Sequence, residues 1–196
     1  MSRREGRESR STKETEIEVR FYLDGEGVSN ISHPCGFLTH MLDSMCRHGG
    51  FDLELEAKGD IEVDLHHVIE DTGIVLGTAL RDALGNLEGI ERFGEAIVPM
   101  DESLALVALD ISGREGLFFD ASFSSPKVGE FDTELVEEFF TGFVRGSRVT
   151  LHIKLLQKGN THHSIEAIFK AFGRALARAA TISKRRGVPS TKGVIE

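Results

Sequence analysis

The sequence predicts an α+β fold that is an internal duplication of two similar half-domains, each a sheet covered by helices, of the split β-α-β type. Two observations carry this prediction. The motif HHxxE occurs once in each half, at residues 66–70 and 162–166. Segments of alternating polar and apolar residues, typical of strands with one buried face, are interspersed with segments whose apolar residues recur three and four apart, typical of helices.

The individual elements follow from these two periodicities. Strands are predicted near residues 16–23, 51–58, 95–100, 104–111, 117–123 and 149–156. Helices are predicted near residues 36–47, 67–85, 133–146 and 163–183, and the two that follow the HHxxE motifs are rich in Ala and Leu. Turn signals at Asp24-Gly25, Ser112-Gly113 and Ser125-Pro126 separate some of these segments.

The repeat extends beyond the motif itself. A shift of 96 positions (162 minus 66) superimposes the two motifs and also brings Gly77 onto Gly173. Upstream, a shift of 98 positions fits better, and it brings His40 onto Glu138. Each of these two residues would be an ordinary polar side chain if seen alone. Their equivalence makes both of them candidate metal ligands.

The domain boundaries follow from the repeat and from composition. Residues 1–13 carry five Arg or Lys residues and no apolar anchor, so we expect them to be disordered or ordered only against a neighbouring subunit. The first half-repeat is then expected at 14–94 and the second at 95–185. Residues 186–196 form a C-terminal tail.

Composition excludes several classes of protein. The net charge of -9 and the absence of a dominant basic stripe argue against a nucleic-acid-binding protein. No segment resembles a signal peptide or is long enough to span a membrane. The two cysteines, Cys35 and Cys46, do not have the spacing of a metal or redox motif. The expected location is therefore the cytoplasm.

The HHxxE motif itself points to metal binding. On a helix His66 and Glu70 share a face, whereas the adjacent His67 diverges by about 100°. Two adjacent histidines cannot easily bind one ion, so each motif would contribute to two different metals, and two motifs would supply a two-metal site. The alternative for each motif alone is a polar helix start. The zinc-protease motif HExxH is excluded because the glutamate does not lie between the histidines.

The other histidines are weaker candidates. His152 lies in a strand pattern and is expected to be a satisfied sheet histidine, and His33 precedes a proline and is expected at the surface. His48 ends a predicted helix, where it could either stabilise the helix end or belong to an active site.

Several segments together resemble the imidazoleglycerol-phosphate dehydratase family, in its monofunctional form. They are TKET at 12–15, FLTHML at 37–42, LHHVIEDTGI at 65–74, RFG at 92–94, LDISGR at 109–114, ELVEEFF at 134–140, TLHIK at 150–154, NTHHSIEAIFKAFGRAL at 160–176 and PSTKG at 189–193. The resemblance implies an enzyme of histidine biosynthesis that dehydrates D-erythro-imidazole glycerol phosphate to imidazole acetol phosphate with two manganese ions (Mn²⁺). It also implies a shell of 24 subunits with active sites shared between subunits.

The resemblance also implies roles for individual residues. The metal ligands would be His40, His66, His67, Glu70, Glu138, His162, His163 and Glu166. The substrate would be bound by Glu14, Arg92, Arg114, Lys170, Ser190, Thr191 and Lys192. The last three residues lie in the tail 186–196, which would therefore contribute to the substrate site. The chain departs from the family at Glu138, where many members have histidine, and at Ser44, where some have glutamine. A carboxylate at position 138 shifts the preference towards harder metals.

The proton lost in such a dehydration sits on a carbon of low acidity, so the reaction needs Lewis acids on the imidazole ring and a positioned base. Glu14, His48 and Glu166 are the candidate catalytic bases, and the sequence does not choose among them. Two other functions fit the residues: a di-metal phosphate-ester hydrolase, and a non-catalytic metal-binding shell.

Overall fold

The computed structural model describes residues 3–183 and 187–190. Its first half contains β1 (Glu5–Ser11), β2 (Thr15–Tyr22), β3 (Ser29–Ser32), α1 (Gly36–Gly49), β4 (Asp52–Gly59) and α2 (His66–Leu84). Its second half contains β5 (Phe93–Met100), β6 (Ser103–Asp110), β7 (Gly116–Asp120), the short β8 (Lys127–Val128) and β9 (Phe131–Asp132), α3 (Leu135–Ser147), β10 (Thr150–Gln157) and α4 (Thr161–Ala180). The predicted α+β fold of two sheet-plus-helix halves is confirmed.

The two halves have the same sheet topology. The first sheet has the order β1-β2-β4-β3 and the second the order β5-β6-β10-β7. In each sheet only the last pair, β3 with β4 and β7 with β10, is parallel. The β-α-β unit differs in one detail from the split type expected, because its two parallel strands are direct neighbours.

The N-terminal segment corrects one expectation. Residues Glu5–Ser11, expected to be disordered, form strand β1, which pairs antiparallel with β2 along its whole length. Gly6 lets this edge strand approach helix α2 closely, since a Cβ atom there would lie 1.9 Å from the Ala79 carbonyl oxygen. Gly94 on β5 stands in the same relation to Ala175 on α4, also at 1.9 Å.

The boundaries of the halves also differ from those expected. The first half spans residues 5–84 and the second residues 93–180, whereas 14–94 and 95–185 were expected. The expected boundary between residues 94 and 95 falls inside β5. Each half of the structure begins with a strand, β1 or β5, and in the first half the polar composition of β1 concealed that strand. The proposed tail, 186–196, is described only at residues 187–190.

The helices lie between the two sheets and pair across the halves. Helix α2 packs against α3, and α1 packs against α4. Close approach is possible because glycines face the partner backbone: a Cβ at Gly77 would lie 2.3 Å from the Phe143 carbonyl oxygen, and one at Gly173 would lie 2.3 Å from that of Met45. The two contacts are equivalent in the repeat, because a shift of 96 brings Gly77 onto Gly173 and a shift of 98 brings Met45 onto Phe143. Because α1 packs against α4, His40 of the first half lies near His162 of the second half.

Histidine 33 is not the surface residue that was expected. Its Nδ1 accepts a hydrogen bond from the Cys35 backbone N–H at 2.9 Å, and its Nε2 lies 3.2 Å from the Thr72 hydroxyl. Burial lowers the pKa of His33 from its usual value to about 4, although the Cys35 and Val68 backbone groups oppose this. The ring is therefore neutral in the folded chain at pH values where it is charged in the unfolded chain.

This difference predicts a loss of stability in acid. Because the unfolded state binds the additional proton, the free energy of unfolding should fall as the pH drops from about 6.5 towards 4, by at most about 3 kcal/mol. His33→Asn, whose side-chain oxygen can still accept the Cys35 N–H, should lose less stability over this range. Urea denaturation of both chains between pH 4 and 7 measures the difference. Equal pH dependence in the two chains would show that His33 does not contribute.

No helix in residues 3–183 is long and apolar enough to cross a membrane.

Candidate metal centre

Three predicted metal ligands meet where α1 packs against α4. His162 and Glu166 are four residues apart on one face of α4, and His40 approaches from α1. The His40 Nε2 atom lies 3.9 Å and the His162 Nε2 atom 3.6 Å from the Glu166 carboxylate. The donor atoms all lie within 4.8 Å of one another. The structure therefore brings a first-half histidine to the second-half motif.

The pKa values of Glu166 and His162 are both shifted downward. Glu166 is buried, which raises the pKa of its carboxyl, but a hydrogen bond and charge interaction with Lys170 lower it, and the net pKa shift is downward. The Lys170 Nζ atom donates to the carboxylate at 2.9 Å. Burial also lowers the pKa of His162, although Glu166 opposes this. An ionised carboxylate beside neutral imidazole is the protonation state that metal binding requires.

The corresponding group in the first half is not assembled in the same way. His66 Nε2 lies 4.0 Å from the Glu70 carboxylate, but that carboxylate accepts a hydrogen bond from Arg145 at 2.8 Å. Glu138 is half-buried on α3. Over residues 3–183, His66, Glu70 and Glu138 do not form a group with all three donor atoms within 4.8 Å. The second set of predicted ligands is thus only partly brought together.

The adjacent histidines diverge, as the helix geometry predicts. The rings of His66 and His67 are 6.1 Å apart and perpendicular, and those of His162 and His163 are 6.2 Å apart at 79°. The side chains of His67 and His163 both turn to carboxylates: Asp60 in the first half and Glu102 in the second. The two histidines of a pair therefore cannot bind one ion in this conformation.

Side-chain hydrogen bonds hold the first histidine of each pair in the first turn of its helix. The Asp64 side chain accepts the His66 N–H at 2.7 Å, and the Asn160 side chain accepts the His162 N–H at 2.9 Å. Positions 64 and 160 are related by the same shift of 96. In α1, the N-terminal cap is the Cys35 sulfur, which accepts the Leu38 N–H at 3.5 Å. Cys35 and Asn160 thus cap α1 and α4, whereas Leu65, the N-cap residue of α2, makes no side-chain cap bond.

Comparison with known proteins decides the family. The family model of imidazoleglycerol-phosphate dehydratase matches residues 34–176, a span that contains all eight predicted metal ligands. The chain belongs to the imidazoleglycerol-phosphate dehydratase family.

Relatives and solved structures of this family agree over almost the whole chain. An imidazoleglycerol-phosphate dehydratase of Clostridium novyi is 54% identical over 100% of both chains, and one of Bacillus licheniformis is 53% identical over 98% of this chain and 100% of its own. The crystal structure of the Staphylococcus aureus dehydratase is 46% identical, with a TM-score of 0.82, covering 91% of this chain and 99% of its own. A Pyrococcus furiosus dehydratase structure, in complex with (S)-C348, is 40% identical with a TM-score of 0.82, covering 95% of this chain and 99% of its own.

Membership of the imidazoleglycerol-phosphate dehydratase family makes the chain an enzyme, a hydro-lyase of histidine biosynthesis. The two comparisons of structure also agree with the α+β architecture of two sheet-plus-helix halves.

The substrate-binding residues implied by the dehydratase family lie in several places. The Arg92 guanidinium donates to both Asp110 oxygens, at 2.6 and 3.0 Å, and to the Pro189 carbonyl at 2.9 Å. Arg114 is exposed in the loop after β6. In the described residues, no hydrogen bond or ion pair joins either arginine to the cluster of His40, His162 and Glu166. The Ser190 N–H donates to the Val188 carbonyl, while Thr191 and Lys192 lie outside the described residues.

The three candidate bases have different surroundings. Glu14 lies in the turn between β1 and β2, and its more than half-exposed side chain lies 4.0 Å from His67 Nδ1. His48, exposed at the end of α1, has its pKa lowered by burial of part of the ring and by the charges of Lys170 and Arg174. The carboxylate of Glu166 already contacts Lys170 and both cluster histidines. Of the two carboxylic acids among the candidates, Glu14 is therefore less constrained than Glu166.

Sequence reasoning missed three acidic residues at this site. Asp60 and Glu102 contact the second histidine of each pair, and buried Asp71 accepts hydrogen bonds from Arg10 at 3.0 Å and Thr15 at 2.5 Å. Asp71 thereby ties the strand ends that flank Glu14 to α2. Only Glu102 had a signal in the sequence, which was its position. Like Glu14 in the first half, it directly precedes the second strand of its half.

Proposed function

We propose that the enzyme dehydrates D-erythro-imidazole glycerol phosphate to imidazole acetol phosphate at a site that holds two manganese ions. The observation that supports this most is the cluster of His40, His162 and Glu166, formed by one of two copies of a motif in a chain of the dehydratase family. Ionised carboxylates suit divalent manganese, and imidazole nitrogens bind divalent transition metals more generally.

The proposed ligands divide into two sets, of which the structure assembles the first and brings the second only partly together. One ion would be held by His40, His162 and Glu166. The other ion would be held by the related residues His66, Glu70 and Glu138. The remaining two histidines, His67 and His163, turn outward and would serve sites completed by another subunit. For Glu70 to bind an ion, its hydrogen bond from Arg145 must be given up or shared. Bound ions of this kind supply Lewis acidity to the nitrogens of an imidazole ring.

The residues around the cluster would bind and orient the substrate. Lys170 holds the Glu166 carboxylate in place and presents a positive charge beside the cluster. The substrate phosphate would be bound by Arg92, Arg114, Ser190, Thr191 and Lys192. Arginine offers paired hydrogen-bond donors to a phosphate, and lysine offers a point charge. Glu14, whose carboxylate lies beside His67 and is exposed, would take the proton from carbon, and His48 remains the second candidate for this step.

Turnover of imidazole glycerol phosphate by metal-stripped enzyme tests the proposal. Added Mn²⁺ should restore formation of the enolisable ketone product, and the metal-stripped enzyme should form none. Release of inorganic phosphate instead of the ketone would show a hydrolase. Bound Mn²⁺ with neither product would show a binding shell and overturn the proposed reaction.

We also propose an assembly of 24 subunits, with active sites shared between subunits, in the cytoplasm. The half-buried His67 and His163 side chains are suited to bridge subunits through metal. Removal of metal should then weaken the assembly. Size-exclusion chromatography should show one large species with Mn²⁺ and a smaller one after chelation. A large species that is unchanged by chelation would contradict metals at subunit contacts.

A further inference from the structure

The second histidine of each HHxxE motif meets a carboxylate through the same ring nitrogen. His67 Nδ1 lies 3.0 and 3.2 Å from the two Asp60 oxygens. His163 Nδ1 lies 3.2 and 3.3 Å from the two Glu102 oxygens. An ionised carboxylate only accepts hydrogen bonds, so in both cases Nδ1 must carry the proton. The neutral ring then keeps its lone pair on Nε2.

The two carboxylates come from non-equivalent places in the repeat. Asp60 follows β4, and the shift of 98 that relates β4 to β10 puts Lys158 at its place. Glu102 lies in the turn between β5 and β6, and its counterpart between β1 and β2 is Glu14, which is 4.0 Å from His67 Nδ1. The duplication itself therefore did not supply this pair of contacts. The two halves build the same contact, from a carboxylate to the histidine Nδ1 atom, with different elements. This indicates that the site requires the contact.

Backbone hydrogen bonds hold the main chain of Asp60 and the carboxylate of Glu102 in position. The Asp60 N–H donates to the Glu14 carbonyl at 3.0 Å, the Asp60 carbonyl accepts from Val63 at 2.8 Å, and its side chain is 21% exposed. The Glu102 carboxylate accepts the Asn160 N–H at 2.5 Å. Backbone hydrogen bonds from Asn160 and Glu102 itself, followed by that from His163, lower the pKa of Glu102 to about 2. The acceptors are thus in place before any ligand binds.

We propose that Asp60 and Glu102 are positioning residues that hold His67 and His163 as Nδ1–H tautomers and so present Nε2 as the metal-binding nitrogen. The part that concerns metal rests on the proposed two-manganese function. Carboxylates that orient ligating imidazoles are typical of metal sites and also raise the basicity of the ligand. Asp60 is the better residue to test, because the Glu102 carboxylate also bonds to the residue that caps α4.

The tautomer can be measured without metal. The histidine side-chain ¹⁵N–¹H spectrum of metal-free enzyme at pH 8.5, with His67 assigned from the His67→Gln variant, should show His67 as the Nδ1–H tautomer. Asp60→Ala should shift it towards the Nε2–H tautomer, which a free neutral imidazole favours. Wild-type His67 in the Nε2–H form would overturn the proposal. If Asp60→Ala does not fold by circular dichroism, Asp60→Asn, with an uncharged acceptor, should show a smaller shift in the same direction.

Metal binding gives the second readout. Calorimetric titration with Mn²⁺ should show affinity about 10- to 100-fold weaker for Asp60→Ala than for wild type, as expected for loss of an orienting carboxylate. Asp60→Glu should recover part of the loss. The matched control is Asp101→Asn, which removes a carboxylate 3.8 Å from His163 Nδ1, and its affinity should be unchanged. Loss of affinity in the control would instead make Asp101, Glu102 and His163 a cation site of their own and overturn the orienting role of Glu102.

The two measurements separate the possible failures. A wild-type enzyme that shows the Nδ1–H tautomer but binds no Mn²⁺ would contradict the proposed function and leave the hydrogen-bonding result intact. An Asp60→Ala variant that changes tautomer but binds Mn²⁺ with wild-type affinity would overturn the positioning role while leaving the two-metal proposal intact.

Discussion

The Glu166→Gln variant should lose both bound metal and turnover. Glu166 is the one carboxylate that lies within 4 Å of His40, His162 and Lys170 together in the described residues. An amide oxygen is a weaker and uncharged donor. Loss of a residue that only orients a ligand already weakens metal binding about 10- to 100-fold, so the loss of the ligand itself should cost at least about 100-fold. Turnover at limiting Mn²⁺ should fall at least as far.

The comparison needs a variant with the same chemical change at a distant site. Glu26→Gln makes that change on an exposed side chain in the loop between β2 and β3, and both metal content and turnover should stay at the wild-type level. Metal per chain by mass spectrometry and ketone formation are the two measurements. Glu166→Gln with full metal content and wild-type turnover would show that Glu166 is neither a ligand nor a base. Circular dichroism should accompany both, because the variant leaves the Lys170 ammonium without its buried partner.

The Gly77→Ala variant should lose more stability than any surface change. Alanine in a helix interior is ordinarily favoured over glycine by about 1 kcal/mol. At position 77 the added Cβ would lie 2.3 Å from the Phe143 carbonyl oxygen and 2.8 Å from the Ser147 nitrogen. Both atoms belong to the backbone of α3, so the two helices must move apart. We expect a loss of about 3 kcal/mol, which lowers the Tm by roughly 6–12 °C for a chain of this size.

Gly36→Ala is the matched control, because nothing lies within 4 Å of the Cβ that would be added at the first residue of α1. Its Tm should equal or slightly exceed that of the wild type. Thermal unfolding at fixed protein and metal concentration gives both values. A Gly77→Ala variant as stable as the wild type would mean that α2 and α3 can separate without cost. Its metal content is also informative, since α2 carries His66, His67 and Glu70.

Local periodicity explains why most of the fold could be predicted. The four helices and six of the strands have apolar residues at the spacing of their own type, and each was found within a few residues of its position. Strand β1 was missed because Gly6 is its only buried residue and the other six side chains are polar or charged. Strand β1 is ordered because it pairs with β2 and because it closely contacts α2, which lies far away in the sequence.

The arrangement of the candidate site was predictable in part. The repeated HHxxE motif located the ligand helices and the divergence of the paired histidines, because both follow from helix geometry alone. The pairing of His40 with His162 and Glu166 could not be derived in this way, since it depends on α1 packing against α4 of the other half. Nor could the contact of Arg145 with Glu70, which results from the packing of α3 on α2.

The sequence by itself therefore determined the α+β architecture of two sheet-plus-helix halves, the family, and the candidate metal ligands, because these depend on periodicity and on motifs that are contiguous in the chain. Only the tertiary structure decided which of those residues meet and which acids face the histidines. Asp60 and Glu102 reach equivalent rings from non-equivalent loops, and Gly77 and Gly173 set the distance between helices of different halves. These contacts join residues that are far apart in the chain, and long-range packing leaves no local pattern from which they could be read.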